Sequence, residues 1–202
     1  MSIRYFSFYL LLLSICSLTD PSSFSNYDQI KQTKVKLNIN INFEEKIIDV
    51  EEKLYMKAEI DGEVIVLDTN QIEILSIIDS DTGDSLPYKL DYLHSIKSLG
   101  TPLKIYKTYK KGDIIVFVIK CKSSKSAEGI QFLKEEQTFG RKYPYMYTQG
   151  QSIFVRTMFP IQDSPEVKLT VDASLTIPKP LVGVYSGIYQ SQIDNGQTTT
   201  FF

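Results

Sequence analysis

The chain has 202 residues, a formal net charge of -2, two cysteines and one histidine. That length favours one domain with a core large enough to stand without disulfides. The near-balanced charge, with lysines spread among acids, leaves no electrostatic footprint for nucleic acid, and Cys16 and Cys121 form neither a C-x-x-C pair nor a disulfide framework.

The first elements come at the N-terminus. Arg4 precedes an apolar run from Tyr5 to Leu18. About 14 residues are too few for a comfortable membrane span and suit the core of a secretory signal, so no stable membrane span is expected. Ser17 and Thr19 supply small residues near a cleavage site, without a clean A-x-A pattern. Residues 1–20 therefore read as a probable signal peptide or apolar leader. The chain is expected in the secretory pathway or outside the cell if that leader is cleaved, and in the cytoplasm if it is not.

From Lys34 the pattern is that of a sheet. Val35, Leu37, Ile39, Ile41 and Phe43 alternate with Lys and Asn, the mark of an antiparallel strand with one wet face. The segment 46–60 pairs back on it. Asp61-Gly62 signals a hairpin, and two strands follow around Asn70. The segments 101–107 and 113–123, split by Lys111-Gly112-Asp113, make the next predicted hairpin. There Ile114, Val116 and Val118 face one way and Ile115, Phe117 and Ile119 the other, which predicts a central strand covered on both sides. The stretch 126–140 has at most a helical turn. Val167, Leu169, Val171, Ala173, Leu175 and Ile177 alternate again, and a turn at Asp194-Asn195-Gly196 starts a return strand. Short strands with turn signals about every ten residues predict an all-β sandwich, antiparallel or mixed.

Chemistry-bearing residues are few. A catalytic zinc commonly takes about three protein ligands. With His94 alone and no H-E-x-x-H, this sequence offers no such set, and a Ser-His-Asp triad would need the same residue. Neither a G-x-S-x-G elbow nor a P-loop is present. His94 reads as a partly exposed structural side chain.

The stretch 147–181, YTQGQSIFVRTMFPIQDSPEVKLTVDASLTIPKPL, departs from plain alternation. It holds Gln149-Gly150-Gln151, then Arg156, then Pro160-x-x-Asp163-x-Pro165-x-x-Lys168, then a Thr-rich strand ending in Ile-Pro-Lys-x-Leu. Together with VLDTNQIEI, GTPLKI and AEGIQFLKEEQTFGRKYPYMYTQ upstream, and CSLTDPSSFSNY near the start, it resembles the N-terminal domain of the gluzincin zinc aminopeptidases of family M1, in the leukotriene A(4) hydrolase branch.

The resemblance implies a saddle-like β-sandwich over 21–202, cut within its last strand. It implies a parent protein that uses zinc to remove N-terminal residues from peptides, with the zinc ligands in a following catalytic domain missing here. No catalytic or metal residue carries over, and no cofactor is expected in this chain. The family's Gln-x-Gln segment touches the bound peptide, which places Gln149, Gly150 and Gln151 as substrate-binding residues on one wall of the cleft. Two residues apart on a strand share a face, so the two amides are expected to point together. Arg156, Pro160, Asp163, Pro165 and Lys168 read as architecture, with a bidentate Arg156–Asp163 pair fixing the turn. Tyr143, Tyr145 and Tyr147 alternate on one face, either as core or as cover for a docking edge. The expected partners are a peptide at the cleft edge and the missing catalytic domain, with catalysis absent from this chain alone. A reading of a different class stays open beside it: a free-standing secreted β-sandwich that binds peptide or protein partners without catalysis.

Overall fold

The structure, a computed structural model, describes residues 20–202; the apolar leader, with Cys16, Ser17 and Thr19, lies outside the described residues. The strands in chain order are β1 (Ile30–Asn42), β2 (Ile47–Ala58), β3 (Gly62–Thr69), β4 (Glu73–Asp79), β5 (Tyr88–Leu90), β6 (Thr101–Tyr109), β7 (Ile114–Lys122), β8 (Ile130–Leu133), β9 (Tyr145–Thr148), β10 (Thr170–Pro178), β11 (Gln192–Asp194) and β12 (Thr198–Phe201). A seven-stranded sheet runs β11-β12-β10-β1-β2-β7-β4, a three-stranded sheet runs β3-β6-β5, and β8 pairs with β9. The architecture is all-β and mixed: β10 lies parallel to β1, and every other strand pair among the described residues is antiparallel.

Alternation decides which side of each strand is buried. Val35, Leu37 and Ile39 of β1, Val50, Leu54 and Met56 of β2, and Ile115, Phe117 and Ile119 of β7 turn inward. They join Ile65 and Leu67 of β3 and Leu103 and Ile105 of β6 in one core. Burying a side chain of this size stabilises the fold by roughly 1.5–3 kcal/mol, so these inward rows carry much of the hydrophobic driving force.

Two expected hairpins are instead crossings. The Asp61-Gly62 turn leads from β2 in the large sheet to β3 in the small one, and the turn before Asp113 leads from β6 in the small sheet to β7 in the large one. A turn motif sets only the reversal of the chain; the sheet that the next strand joins is set by which faces must be buried. The two turns are tied together. The Lys111 amide donates to Asp61 Oδ1 (2.9 Å), Lys110 Nζ donates to Asp61 Oδ2 (3.1 Å), and the Gly112 amide donates to the Ala58 carbonyl (2.9 Å).

β7 also differs from its expected double coverage. Its inner row is buried, but Val116 and Val118 are half-buried and Ile114 is 53% exposed. The strand is next to the sheet edge, and its outer face carries the surface ion pairs Lys120–Glu51 and Lys122–Asp49 rather than another layer. The predicted pairing of β1 with β2 and the return strand after Asn195-Gly196 are both present.

Candidate functional site

The unusual stretch 147–181 builds two adjoining features. One is a buried polar knot at residues 156–164. The other is an apolar groove bordered by β9 and the loop that follows it.

Arg156 sits in a short 3-10 turn, Val155–Thr157, and is 1% exposed. Its Nε donates to Asp163 Oδ2 (3.0 Å), one terminal nitrogen donates to the Asp163 carbonyl (3.0 Å), and the other donates to the Leu99 carbonyl (2.9 Å). The Arg156 amide also donates to Asp163 Oδ2 (3.1 Å). The expected fork-to-fork pairing with the carboxylate is therefore replaced: the fork is shared among one carboxylate oxygen and two backbone carbonyls. The tight turn brings the Asp163 carbonyl to the guanidinium as closely as its side chain, and Leu99 arrives from the loop before β6.

Asp68 of β3 completes the knot. Its Oδ1 accepts the Phe24 amide (2.7 Å) and lies 3.7 Å from an Arg156 nitrogen, and its Oδ2 accepts the Ser23 hydroxyl (2.6 Å) and the Asp163 amide (3.0 Å). Burial pushes the Asp163 carboxyl up, against the hydrogen bonds and charge of Arg156. Asp20, the first described residue, accepts the Ser164 hydroxyl at 2.7 Å, and its amide donates to the Tyr27 hydroxyl at 2.7 Å. The segment 20–27 is thus strapped across the turn. Gln162, 2% exposed, locks the turn to β1: its Oε1 accepts the Gln32 amide (2.7 Å) and its Nε2 donates to the Ile30 carbonyl (2.7 Å).

Gln162, Asp68 and Ser23 were not singled out from the sequence. A glutamine in a turn carries no pattern signal, and the partners lie 45 to 132 positions away in the chain, beyond any local periodicity. Of the residues expected to be architectural, Pro160 is buried within the knot, whereas Pro165 and Lys168 are exposed. Among the described residues no ion pair of Lys168 is present.

The Gln149-Gly150-Gln151 segment lies past the end of β9, not within a strand. The Gln149 amide donates to the Gly129 carbonyl (2.9 Å), and the chain then turns, with the Phe154 amide donating to the Gly150 carbonyl (2.9 Å). Gln149 and Gln151 are both exposed, and Gln149 Nε2 donates to the Gln151 carbonyl (3.3 Å). A Cβ at Gly150 would come within 2.7 Å of Val155 Cγ2, so the close approach that this glycine permits is to its own turn.

Beside this loop runs a groove of about 500 Å³. Leu37, Ile39 and Ile41 of β1 and Leu175 of β10 line it, with Tyr145 and Tyr147 from β9 and residues 181–186 at its sides. Tyr145 and Tyr147 share a face, as their spacing predicts, with stacked rings 6.0 Å apart. They are exposed rather than core, as are Val182 (76%) and Val184 (88%). Gly150 lines the same groove, so the glutamine loop stands at its rim.

His94 lies elsewhere. Its Nδ1 is 2.8 Å from Asp91 Oδ2, the same oxygen that accepts Lys104 Nζ at 2.6 Å, and its side chain is 69% exposed. The hydrogen bond from Lys104 holds the Asp91 carboxyl down to about 2, against the effect of burial and with help from His94.

The chain as a whole has relatives among known proteins. Residues 23–202 match the model of the Peptidase M1 N-terminal domain. The chain belongs to the M1 peptidase family, as its N-terminal domain. It is 33% identical over 167 residues to leucine aminopeptidase 2 of Aspergillus fumigatus, covering 81% of this chain and 26% of that protein. It is 27% identical over 179 residues to leukotriene A-4 hydrolase of Xenopus laevis, covering 87% of this chain and 29% of that protein. The yeast LTA4 hydrolase structure in complex with bestatin superposes with a TM-score of 0.77 at 25% identity, covering 93% of this chain and 28% of that one. An M1 zinc metallopeptidase mutant of Deinococcus radiodurans, bound to a Tyr-Ser-Ala substrate, shares the fold with a TM-score of 0.67 at 12% identity, over 89% of this chain and 40% of that one. The chain thus spans about a quarter of the length of the curated M1 relatives it matches.

The M1 family is zinc-dependent. Among the described residues no three His, Cys, Asp or Glu side chains gather as a possible metal site. The single imidazole shares its carboxylate with a lysine ammonium, which occupies the place a cation would take. That donor set does not fit a catalytic zinc, which needs about three protein ligands and an open position.

Proposed function

We propose that this M1 N-terminal domain forms one wall of a peptide-binding cleft, with Gln149, Gly150 and Gln151 at its edge and hydrolysis carried by residues outside this chain. The observation that carries this reading is the position of the 149–151 loop. It projects two exposed amides from the rim of an apolar groove, directly after β9 and directly before the Arg156 knot. An amide both donates and accepts, so it can engage a peptide backbone without adding a charge. The knot fixes the loop's far end, which limits the ordering needed when a peptide binds.

The groove serves as the seat of the catalytic domain. Its exposed Tyr145, Tyr147, Val182 and Val184 make a continuous apolar rim of the kind that marks an interaction surface. The zinc of the family supplies hydrolytic chemistry when bound in that other domain. The apolar leader directs the chain into the secretory pathway, a proposal checked by sequencing the N-terminus of the secreted product.

A chimera tests the cleft reading. This domain replaces its counterpart in leucine aminopeptidase 2, and Gln149→Ala and Gln151→Ala are introduced. Each change is expected to raise KM for peptides about three- to tenfold, the worth of one neutral hydrogen bond, with a smaller effect on kcat. Unchanged kinetics in the double variant would overturn the assignment.

A further inference from the structure

Asp68 and Asp163 are buried with hydrogen-bond partners; among the described residues Glu52 is buried with none. It lies in the middle of β2, is 0% exposed, and among the described residues neither of its carboxyl oxygens has a hydrogen-bond partner. Strand alternation turns it inward with Val50 and Leu54 on the same row. Leu37 of β1 stands opposite on one side and Ile119 of β7 on the other. The facing layer brings Ile65, Leu67, Leu103 and Ile105 to the shared core.

Charged groups near it in sequence lie on the other face. Asp49, Glu51 and Lys53 alternate outward, and Glu51 and Asp49 pair there with Lys120 and Lys122 of β7. The titratable neighbour on the inner face is Cys121 of β7, which pairs with Val50 one step along. Its thiol is pushed up by burial first and by Glu52 second. Among the described residues no lysine, arginine or histidine acts on the Glu52 carboxyl.

We propose that the folded chain carries Glu52 as an uncharged acid, and that release of its proton on unfolding favours the unfolded chain as pH rises, so that the domain is most stable in mildly acidic surroundings. An ionised carboxylate at this point would have neither a donor nor a counter-charge, and a charge in that position is costly enough that the group stays neutral instead. Burial alone raises the carboxyl well above its usual range. The sign follows from proton counting. Above about pH 4.3 the unfolded chain has released this proton while the folded chain still holds it. Stability is therefore full below that value and falls as pH rises toward the folded-state pKa. The fall is up to about tenfold in the folded-to-unfolded ratio per pH unit.

The full 202-residue chain is denatured with urea from about pH 5 to about pH 8, beside Glu52→Gln, which keeps the shape and cannot ionise. The wild-type midpoint is expected to fall with rising pH, and the Glu52→Gln profile to be flatter across the same window. Parallel profiles would overturn the proposal. Carbon-13 labelling of the glutamate side chains gives a second readout that needs no variant to fold. One glutamate carboxyl is expected to remain protonated at pH values where the other glutamates have ionised, and a spectrum in which all of them titrate together in the usual carboxylate range would also overturn it.

Discussion

The knot around Arg156 and the groove beside β9 are neighbours, yet they treat their surfaces in opposite ways. In the knot, a guanidinium, two carboxylates and a glutamine amide are removed from water, and each nitrogen of Arg156 donates to an acceptor within the chain. In the groove, large apolar side chains remain open to solvent, with nothing in the described residues laid over Val182 and Val184. The contrast separates what this domain completes by itself from what it presents outward. Buried charge tolerates no missing partner, whereas an apolar surface can wait for one at modest cost.

The largest expected effect comes from breaking the knot. Arg156→Leu leaves Asp163 and Asp68 buried without their cation, which costs about 3–5 kcal/mol of stability by urea denaturation. Arg156→Lys recovers only part of this loss, because a point charge cannot reach Asp163 Oδ2, the Asp163 carbonyl and the Leu99 carbonyl together. If Arg156→Leu were neutral, the knot would not be what holds residues 20–27 and 156–164 together. The opposite end of the comparison calls for a small effect. The double change Tyr145→Ser and Tyr147→Ser is expected to move stability by no more than about 0.5 kcal/mol per site. It should also lower binding of a hydrophobic dye to the isolated chain. A large loss of stability would instead make the tyrosines part of the core.

Much of this division was legible beforehand, for identifiable reasons. The inward rows of β1, β2 and β7 follow from period-two alternation, which a strand cannot evade. The motif around Arg156 and Asp163 marked the right turn. Its fork geometry was not legible, because which carbonyls reach the guanidinium depends on a loop 57 positions away. The turns at Asp61-Gly62 and Lys111-Gly112-Asp113 showed reversals and concealed sheet changes, since the same dipeptides serve both. Gln149 and Gln151 were placed on a strand face, but β9 stops at Thr148, where the chain folds against Val155. Glu52 stood in plain view as one acid among several, and only its register between Leu37 and Ile119 sets it apart.

In the proposed reading this chain supplies shape and peptide contact, and residues outside it cleave the bond. The most direct measurement is an aminopeptidase assay on the purified 202-residue chain with added zinc. No turnover above background is the predicted result. Zinc-dependent hydrolysis that a chelator abolishes, and that returns when zinc is restored, would contradict it.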